Sequence, residues 1–95
     1  MITVTALMTA KEGSADDLAR VIKKFEPKFR QAPGCKTYKV VKRLDAPPDL
    51  FFFYEQYENP EAVANHTSAP LFQEMTDAMA PYLDGEPEIY LFTDI

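Results

Sequence analysis

The stretch Leu50–Glu58, LFFFYEQYE, decides the fold. Alternate residues of a β-strand point to opposite faces of a sheet, and here both faces carry aromatic side chains. A strand with two apolar faces must be covered on both. Helices can cover one face, and a second copy of the sheet related by two-fold symmetry is the simplest cover for the other. The alternative is a monomer with a few exposed aromatic residues. One face carries Phe51, Phe53, Glu55 and Tyr57; the other carries Phe52, Tyr54, Gln56 and Glu58.

Upstream of this strand, the sequence predicts a strand, a helix and a second strand. Ile2–Ala10 alternates and is rich in β-branched residues, which is typical of a strand. Ser14 is a suitable N-cap for a helix with one apolar stripe, and we expect Pro27 to kink that helix or end its regular part. Cys35–Asp45 alternates imperfectly, which predicts a strand with a bulge. The stripe consists of Leu18, Val21, Ile22, Phe25 and Phe29.

Downstream of Leu50–Glu58, the sequence predicts two helices and a last strand. Asn59 caps a short helix that runs to about His66, and Ser68 caps a second helix. Glu88–Ile95 alternates as a strand. The inner side of the second helix carries Leu71, Phe72, Met75, Met79 and Tyr82.

The order β-α-β-β-α-β predicts a ferredoxin-like α+β fold with an antiparallel sheet, formed by residues 1–95 as one domain. The chain has 95 residues and a net charge of −5, which disfavours nucleic acid and anionic membrane surfaces as partners. No segment has the roughly 20 apolar residues that span a bilayer. The single cysteine, Cys35, forms no intrachain disulfide and favours a reducing, cytoplasmic location. The N-terminus has no signal-peptide pattern.

His66 is the strongest candidate for chemistry, because it is the only histidine and its ordinary pKa lies near neutral pH. It could take a proton from a phenol or enol as a general base, or it could bond a backbone carbonyl as a structural residue. Glu55 could orient His66 or pair with a basic group in a structural role. Tyr57 could bind a substrate oxygen or fill the core.

Several large apolar side chains could wall a pocket for a flat ligand, although most belong to the core in any case. The chain has no motif for nucleotide cofactors, zinc or a serine nucleophile, so none of these is supported by the sequence. The residues expected to bind substrate are Phe25, Phe51, Phe53, Phe72 and Met75.

The order of several short motifs resembles one known family. They are the opening ITVTALMTAKEG, Ala32–Cys35 with Tyr38, the strand Phe53–Tyr57, and Ala62–His66 followed by Pro70 and Phe72. Together they resemble the antibiotic biosynthesis monooxygenase superfamily, including its small quinol-monooxygenase-like proteins. The resemblance implies a dimeric α+β barrel with a cleft between sheet and helices. It also implies oxidation of a small aromatic or quinol-like compound by O₂ without metal, flavin or haem.

Two departures from the family pattern bear on activity. Many members carry a second histidine where this chain has Leu71, so the resemblance to the monooxygenases is weaker there. The haem-degrading branch has an asparagine and a tryptophan where this chain has Ala6 and Tyr57, which argues against haem degradation. Two alternatives stay open: an isomerase of a small oxygenated metabolite, and a non-catalytic dimeric barrel that binds a hydrophobic ligand.

Overall fold

The computed structural model describes all 95 residues and confirms the ferredoxin-like α+β fold. One antiparallel sheet of four strands packs against three helices, and the second helical unit is two consecutive helices. The elements are β1 (Ile2–Thr9), α1 (Ala15–Arg30), β2 (Cys35–Lys42), β3 (Leu50–Tyr57), α2 (Pro60–Ser68), α3 (Pro70–Met79), a 3₁₀ turn (Ala80–Tyr82) and β4 (Glu88–Thr93).

The sheet has the strand order β2-β3-β1-β4, so β1 and β3 are central and β2 and β4 are edges. The register puts Glu55 on β3 opposite Val4 on β1 and Tyr38 on β2. The register of β2 shifts between Cys35 and Thr37, at the start of the strand, and Val40 and Val41, where the sequence alternation breaks, pair in regular register. The central strand therefore presents Glu55 in the middle of the sheet.

The two faces of β3 differ in burial, as its alternation requires. Its inner face is closed by the helices, and the four α1 residues Leu18, Ile22, Phe25 and Phe29 are buried against it. On the outer face, Phe52 and Tyr54 remain 38% and 39% exposed. Helices cover one face, and the other is open in the single chain. The buried inner-face residues of β3 are Phe51, Phe53, Glu55 and Tyr57.

Of the two effects expected of Pro27, a kink or the end of the regular helix, the second is wrong, because α1 continues to Arg30. Proline removes one backbone donor, but packing on both sides of it holds the helix. Phe25 and Phe29 are both 3% exposed, and Arg30 reaches back across Pro27 to Glu26 with a 2.9 Å ion pair. Tertiary contacts thus outweigh the local preference of one exposed proline.

The predicted element ends also need correction. Ser68 is the last residue of α2, and Ala69 is the N-cap of α3. Pro70 at the first turn of α3 holds the residue before it in an extended conformation, which makes Ala69 the break. β2 ends at Lys42 and not at Asp45, because the Arg43 side chain bonds the carbonyls of Ala46 and Pro48 and turns the chain.

Two local features fix the start of helix α2. The Asn59 side chain accepts a 2.9 Å hydrogen bond from the Ala62 amide and caps the helix. Gly34 has a positive φ of 83°, and a Cβ at that position would lie 2.7 Å from the Ala62 Cβ. Only glycine permits this approach, which fixes the helix that carries His66. None of the helices is long and apolar enough to cross a bilayer.

Candidate functional site

A cavity of about 450 Å³ lies between the inner face of the sheet and helices α2 and α3. Its wall is formed by 17 residues, of which 12 are hydrophobic. A volume of this size suits a small aromatic molecule, since ligand sites usually occupy about 300–1,000 Å³. The strands contribute Val4, Ala6, Met8, Tyr38, Phe53, Glu55, Ile89 and Leu91; the helices and the following loop contribute Val63, His66, Thr67, Phe72, Met75, Thr76, Met79, Leu83 and Pro87.

His66 lies on the cavity wall and is 8% exposed. Its imidazole sits among four aromatic rings, two of which meet it edge to face. The ring centroids lie 4.8 Å away for Phe29, 5.1 Å for Phe72, 5.2 Å for Tyr57 and 6.0 Å for Tyr38. Aromatic rings solvate a charged imidazolium poorly, so these surroundings favour the uncharged imidazole.

Glu55 is the polar neighbour of this imidazole. The His66 Nε2 lies 3.5 Å from the Glu55 Oε1, which exceeds an ordinary N–H···O hydrogen bond. The Tyr57 hydroxyl donates to the same Oε1 at 2.6 Å. Glu55 is 5% exposed, so this short bond is its main compensation for leaving water.

Burial moves both titrating groups toward their neutral forms. It raises the pKa of Glu55 to about 7, and the hydrogen bond from Tyr57 opposes part of that rise. It lowers the pKa of His66 to about 4. Near neutral pH the imidazole is therefore an uncharged base, and the carboxyl beside it is close to half-protonated.

The structure brings together the three polar residues expected from the sequence, but only two of them border the cavity. His66 and Glu55 line the cavity, whereas Tyr57 is 1% exposed and lies outside its wall. The tyrosine hydroxyl is directed to Glu55 and not to a ligand. Tyr57 therefore acts on the cavity through the carboxyl that it holds and through its ring, which lies beside His66.

The five expected substrate-binding residues also divide into two groups. Phe53, Phe72 and Met75 lie on the cavity wall. Phe25 and Phe51 belong to the main core and do not reach the wall, so the structure does not place them where a ligand could touch them. Strand and helix periodicity separates inside from outside, but it does not separate a core side chain from one that faces a cavity.

Sequence reasoning missed three polar wall residues: Tyr38, Thr67 and Thr76. Thr67 follows His66 directly, and Thr76 follows Met75, so their neighbours gave the only signal for them. Tyr38 had a clearer signal, because it alternates with Val40 on the inner face of β2. The described residues contain no group of three or more His, Cys, Asp or Glu side chains placed to hold a metal ion.

The family model for antibiotic biosynthesis monooxygenases matches residues 1–78 of the chain. The chain belongs to this family. The match includes β1 to α2 and nearly all of α3, which are the elements that carry His66, Glu55 and most of the cavity wall. The comparison with curated proteins finds no match.

Solved structures of other members share the fold over the whole chain. A protein of Caulobacter crescentus described as a candidate antibiotic biosynthesis monooxygenase is 23% identical, with a TM-score of 0.90 over 99% of this chain and 89% of that one. A protein of Nitrosomonas europaea with the same description is 15% identical, with a TM-score of 0.91 over 100% and 99% of the two chains. A Deinococcus radiodurans protein so described is 22% identical, with a TM-score of 0.89 over 99% and 92%. At these identities, the likeness establishes the fold alone.

Proposed function

We propose that this protein is a cofactor-independent monooxygenase that oxidises a small aromatic or quinol-like compound with O₂. The observation that supports this most is the placement of the His66 imidazole on the wall of an apolar cavity, 3.5 Å from Glu55. Membership of the monooxygenase family agrees with it. In this proposal His66 is the base, Glu55 is its polar partner, and Tyr57 positions Glu55.

The proposed reaction begins when His66 takes the proton of a phenolic hydroxyl. The phenolate passes one electron to O₂, and the resulting phenoxyl radical and superoxide combine at a ring carbon. The peroxide takes back the proton from His66 and loses water together with the hydrogen of that carbon. One oxygen atom stays as the new carbonyl of a quinone, and the other leaves as water, so atoms and electrons balance. The wall is mostly apolar, which favours these steps over side reactions with polar groups of the protein.

Oxygen uptake with a panel of hydroquinones and naphthols tests the proposed function. We expect catalysed uptake for at least one compound, with one ¹⁸O atom from ¹⁸O₂ in the product. Tight binding of the panel without turnover would instead indicate the non-catalytic ligand-binding barrel. Conversion of a small oxygenated metabolite without O₂ uptake would indicate the isomerase.

We further propose that the protein is a homodimer in which the outer faces of two sheets pack together. The outer face is apolar but open: Phe52, Tyr54, Tyr90 and Phe92 are between 38% and 59% exposed. Four such aromatics alone offer about 300–500 Å² of exposed surface, a large share of the roughly 800 Å² per partner in a stable interface. Strand β4 is exposed along its whole length, which also favours a partner.

A charge on this face should dissociate the dimer. We expect the wild-type protein to sediment with the mass of two chains and Phe52→Glu to sediment as one chain, because the variant would bury an unpaired carboxylate. Lys23→Glu changes the charge on the exposed side of α1 and serves as the control, which should remain dimeric. A wild-type protein that is monomeric at micromolar concentration would contradict the proposed assembly.

We also propose a reducing, cytoplasmic location and a single domain over residues 1–95. The free thiol of Cys35 supports the location, because the chain contains no second cysteine to pair with it. The continuous sheet and the core of 12 buried residues that joins strands and helices support the single domain.

A further inference from the structure

Tyr38 is a buried polar residue of the cavity wall that the proposed function has not used so far. It lies on the inner face of β2, is 2% exposed and lines the cavity. Its ring stacks on Phe29 at 5.3 Å and meets Phe53 edge to face at 6.3 Å. These contacts fix the ring, whose centroid lies 6.0 Å from that of His66.

The Tyr38 hydroxyl has an unusually weak partner. It donates to the Met75 Sδ at 3.8 Å, and a thioether sulfur is a weak acceptor. The other hydroxyls of the wall already donate to backbone oxygens: Thr67 to carbonyls of α2, and Thr76 to the Gln73 carbonyl at 3.1 Å. Of the wall hydroxyls, that of Tyr38 could therefore donate to a ligand oxygen at the smallest cost, because only a weak hydrogen bond to Met75 would be lost.

We propose that the Tyr38 hydroxyl binds the substrate oxygen and stabilises the phenolate that forms when His66 removes its proton. This inference rests on the proposed function and adds a second polar contact to it. The site would then select aromatic compounds with a free hydroxyl over their ethers, since an ether forms no anion for Tyr38 to stabilise.

The surroundings of Tyr38 keep its hydroxyl protonated, as a hydrogen-bond donor to a phenolate must be. Burial raises the pKa of Tyr38, and the charge of Glu55 raises it further. The hydroxyl therefore stays protonated throughout the pH range in which His66 is an uncharged base. A hydrogen bond to a charged oxygen is stronger than one to a neutral oxygen, so the contact favours the phenolate over the phenol.

The test uses 4-nitrophenol as a probe, because its phenol and phenolate forms absorb at different wavelengths. We expect Tyr38→Phe to raise the pKa of bound 4-nitrophenol by about one to two units. We also expect it to weaken binding of the phenolate by about tenfold to a hundredfold. Affinity for 4-nitroanisole, which has no hydroxyl, should not change. Tyr82→Phe removes a tyrosine hydroxyl outside the cavity wall and is the matched control.

Each outcome of this test has one meaning. If Tyr38→Phe leaves the pKa and affinity of bound 4-nitrophenol as in wild type, the role of Tyr38 is overturned while the proposed function stands. Equal losses of affinity for 4-nitrophenol and 4-nitroanisole would also overturn it, since they would reflect cavity shape alone. If wild-type protein binds neither probe and shows no oxygen uptake with the hydroquinone panel, the proposed function itself fails.

Discussion

Turnover should fall by about 10²–10⁴-fold in the His66→Ala variant, which is the usual contribution of a general base. The imidazole is the only nitrogen base of the cavity wall. Glu55 is the other proton acceptor of the wall, and its Oε1 already accepts the Tyr57 hydroxyl at 2.6 Å, so the residual turnover of the variant measures what this carboxylate can supply. Oxygen uptake at saturating substrate measures the effect.

A structural histidine would respond differently, and two controls separate the roles. Asn65→Ala changes the exposed preceding residue of α2 and should leave turnover near the wild-type rate. Free imidazole should restore part of the activity of His66→Ala, because the deleted ring leaves a space that imidazole can fill. Wild-type turnover by His66→Ala, with a folded protein and a true substrate, would show that His66 is not the base.

The second large effect concerns the pH dependence of stability, which should change when Glu55 becomes Gln. Glu55 has a pKa of about 7 in the folded protein against 4.5 for the ordinary group, and His66 has about 4 against 6.5. Each difference corresponds to about 3 kcal/mol of folding free energy. Because both groups are buried, little of this is screened by solvent.

The two contributions have opposite signs. With its raised folded pKa, Glu55 contributes stability below pH 4.5 that is lost as the pH rises to 7. With its lowered folded pKa, His66 contributes stability above pH 6.5 that is lost as the pH falls to 4. Between pH 4.5 and 6.5 they cancel, so this pair should give the wild-type protein little pH dependence there.

Substituting either Glu55 or His66 leaves the contribution of the other group to the pH dependence uncompensated. The free energy of unfolding of Glu55→Gln should rise by about 3 kcal/mol from pH 4 to 6.5, since only the His66 contribution remains. That of His66→Ala should fall by about the same amount from pH 4.5 to 7. Gln keeps an oxygen for the Tyr57 hydroxyl, which makes it the conservative replacement. Urea unfolding across this range measures both slopes, and parallel profiles for all three proteins would refute the proposed protonation states.

Much of the fold follows from the sequence because its strongest signals are periodic. The alternation of Leu50–Glu58 predicted a strand with Glu55 and Phe52 on opposite faces, and β3 at Leu50–Tyr57 confirms both. Pro27 does not end the helix, because two flanking phenylalanines pack into the core, a tertiary contact that local propensity does not contain. The N-cap of α3 was displaced by one residue for a local reason, the constraint that Pro70 places on Ala69.

The sequence predicted the polar residues of the site, but it did not predict which apolar residues line the cavity. His66, Glu55 and Tyr57 stood out because ionisable or hydrogen-bonding groups among apolar residues need partners, and the structure brings them together. Phe25 and Phe51 could not be separated from Phe53, since all three are inward and buried. Which of them lines the cavity depends on how the helices pack relative to β4. The periodicity of the sequence carries no information about that packing.

The central claim is that His66 stands in the cavity as an uncharged base, and NMR tests it directly because the chain has one histidine. The imidazole C–H resonances followed from pH 3 to 9 give its pKa without any assignment problem. We predict a pKa of about 4 in the folded wild-type protein. A pKa at or above the ordinary 6.5 would show that the imidazole is solvated or ion-paired, and would contradict its burial among apolar side chains.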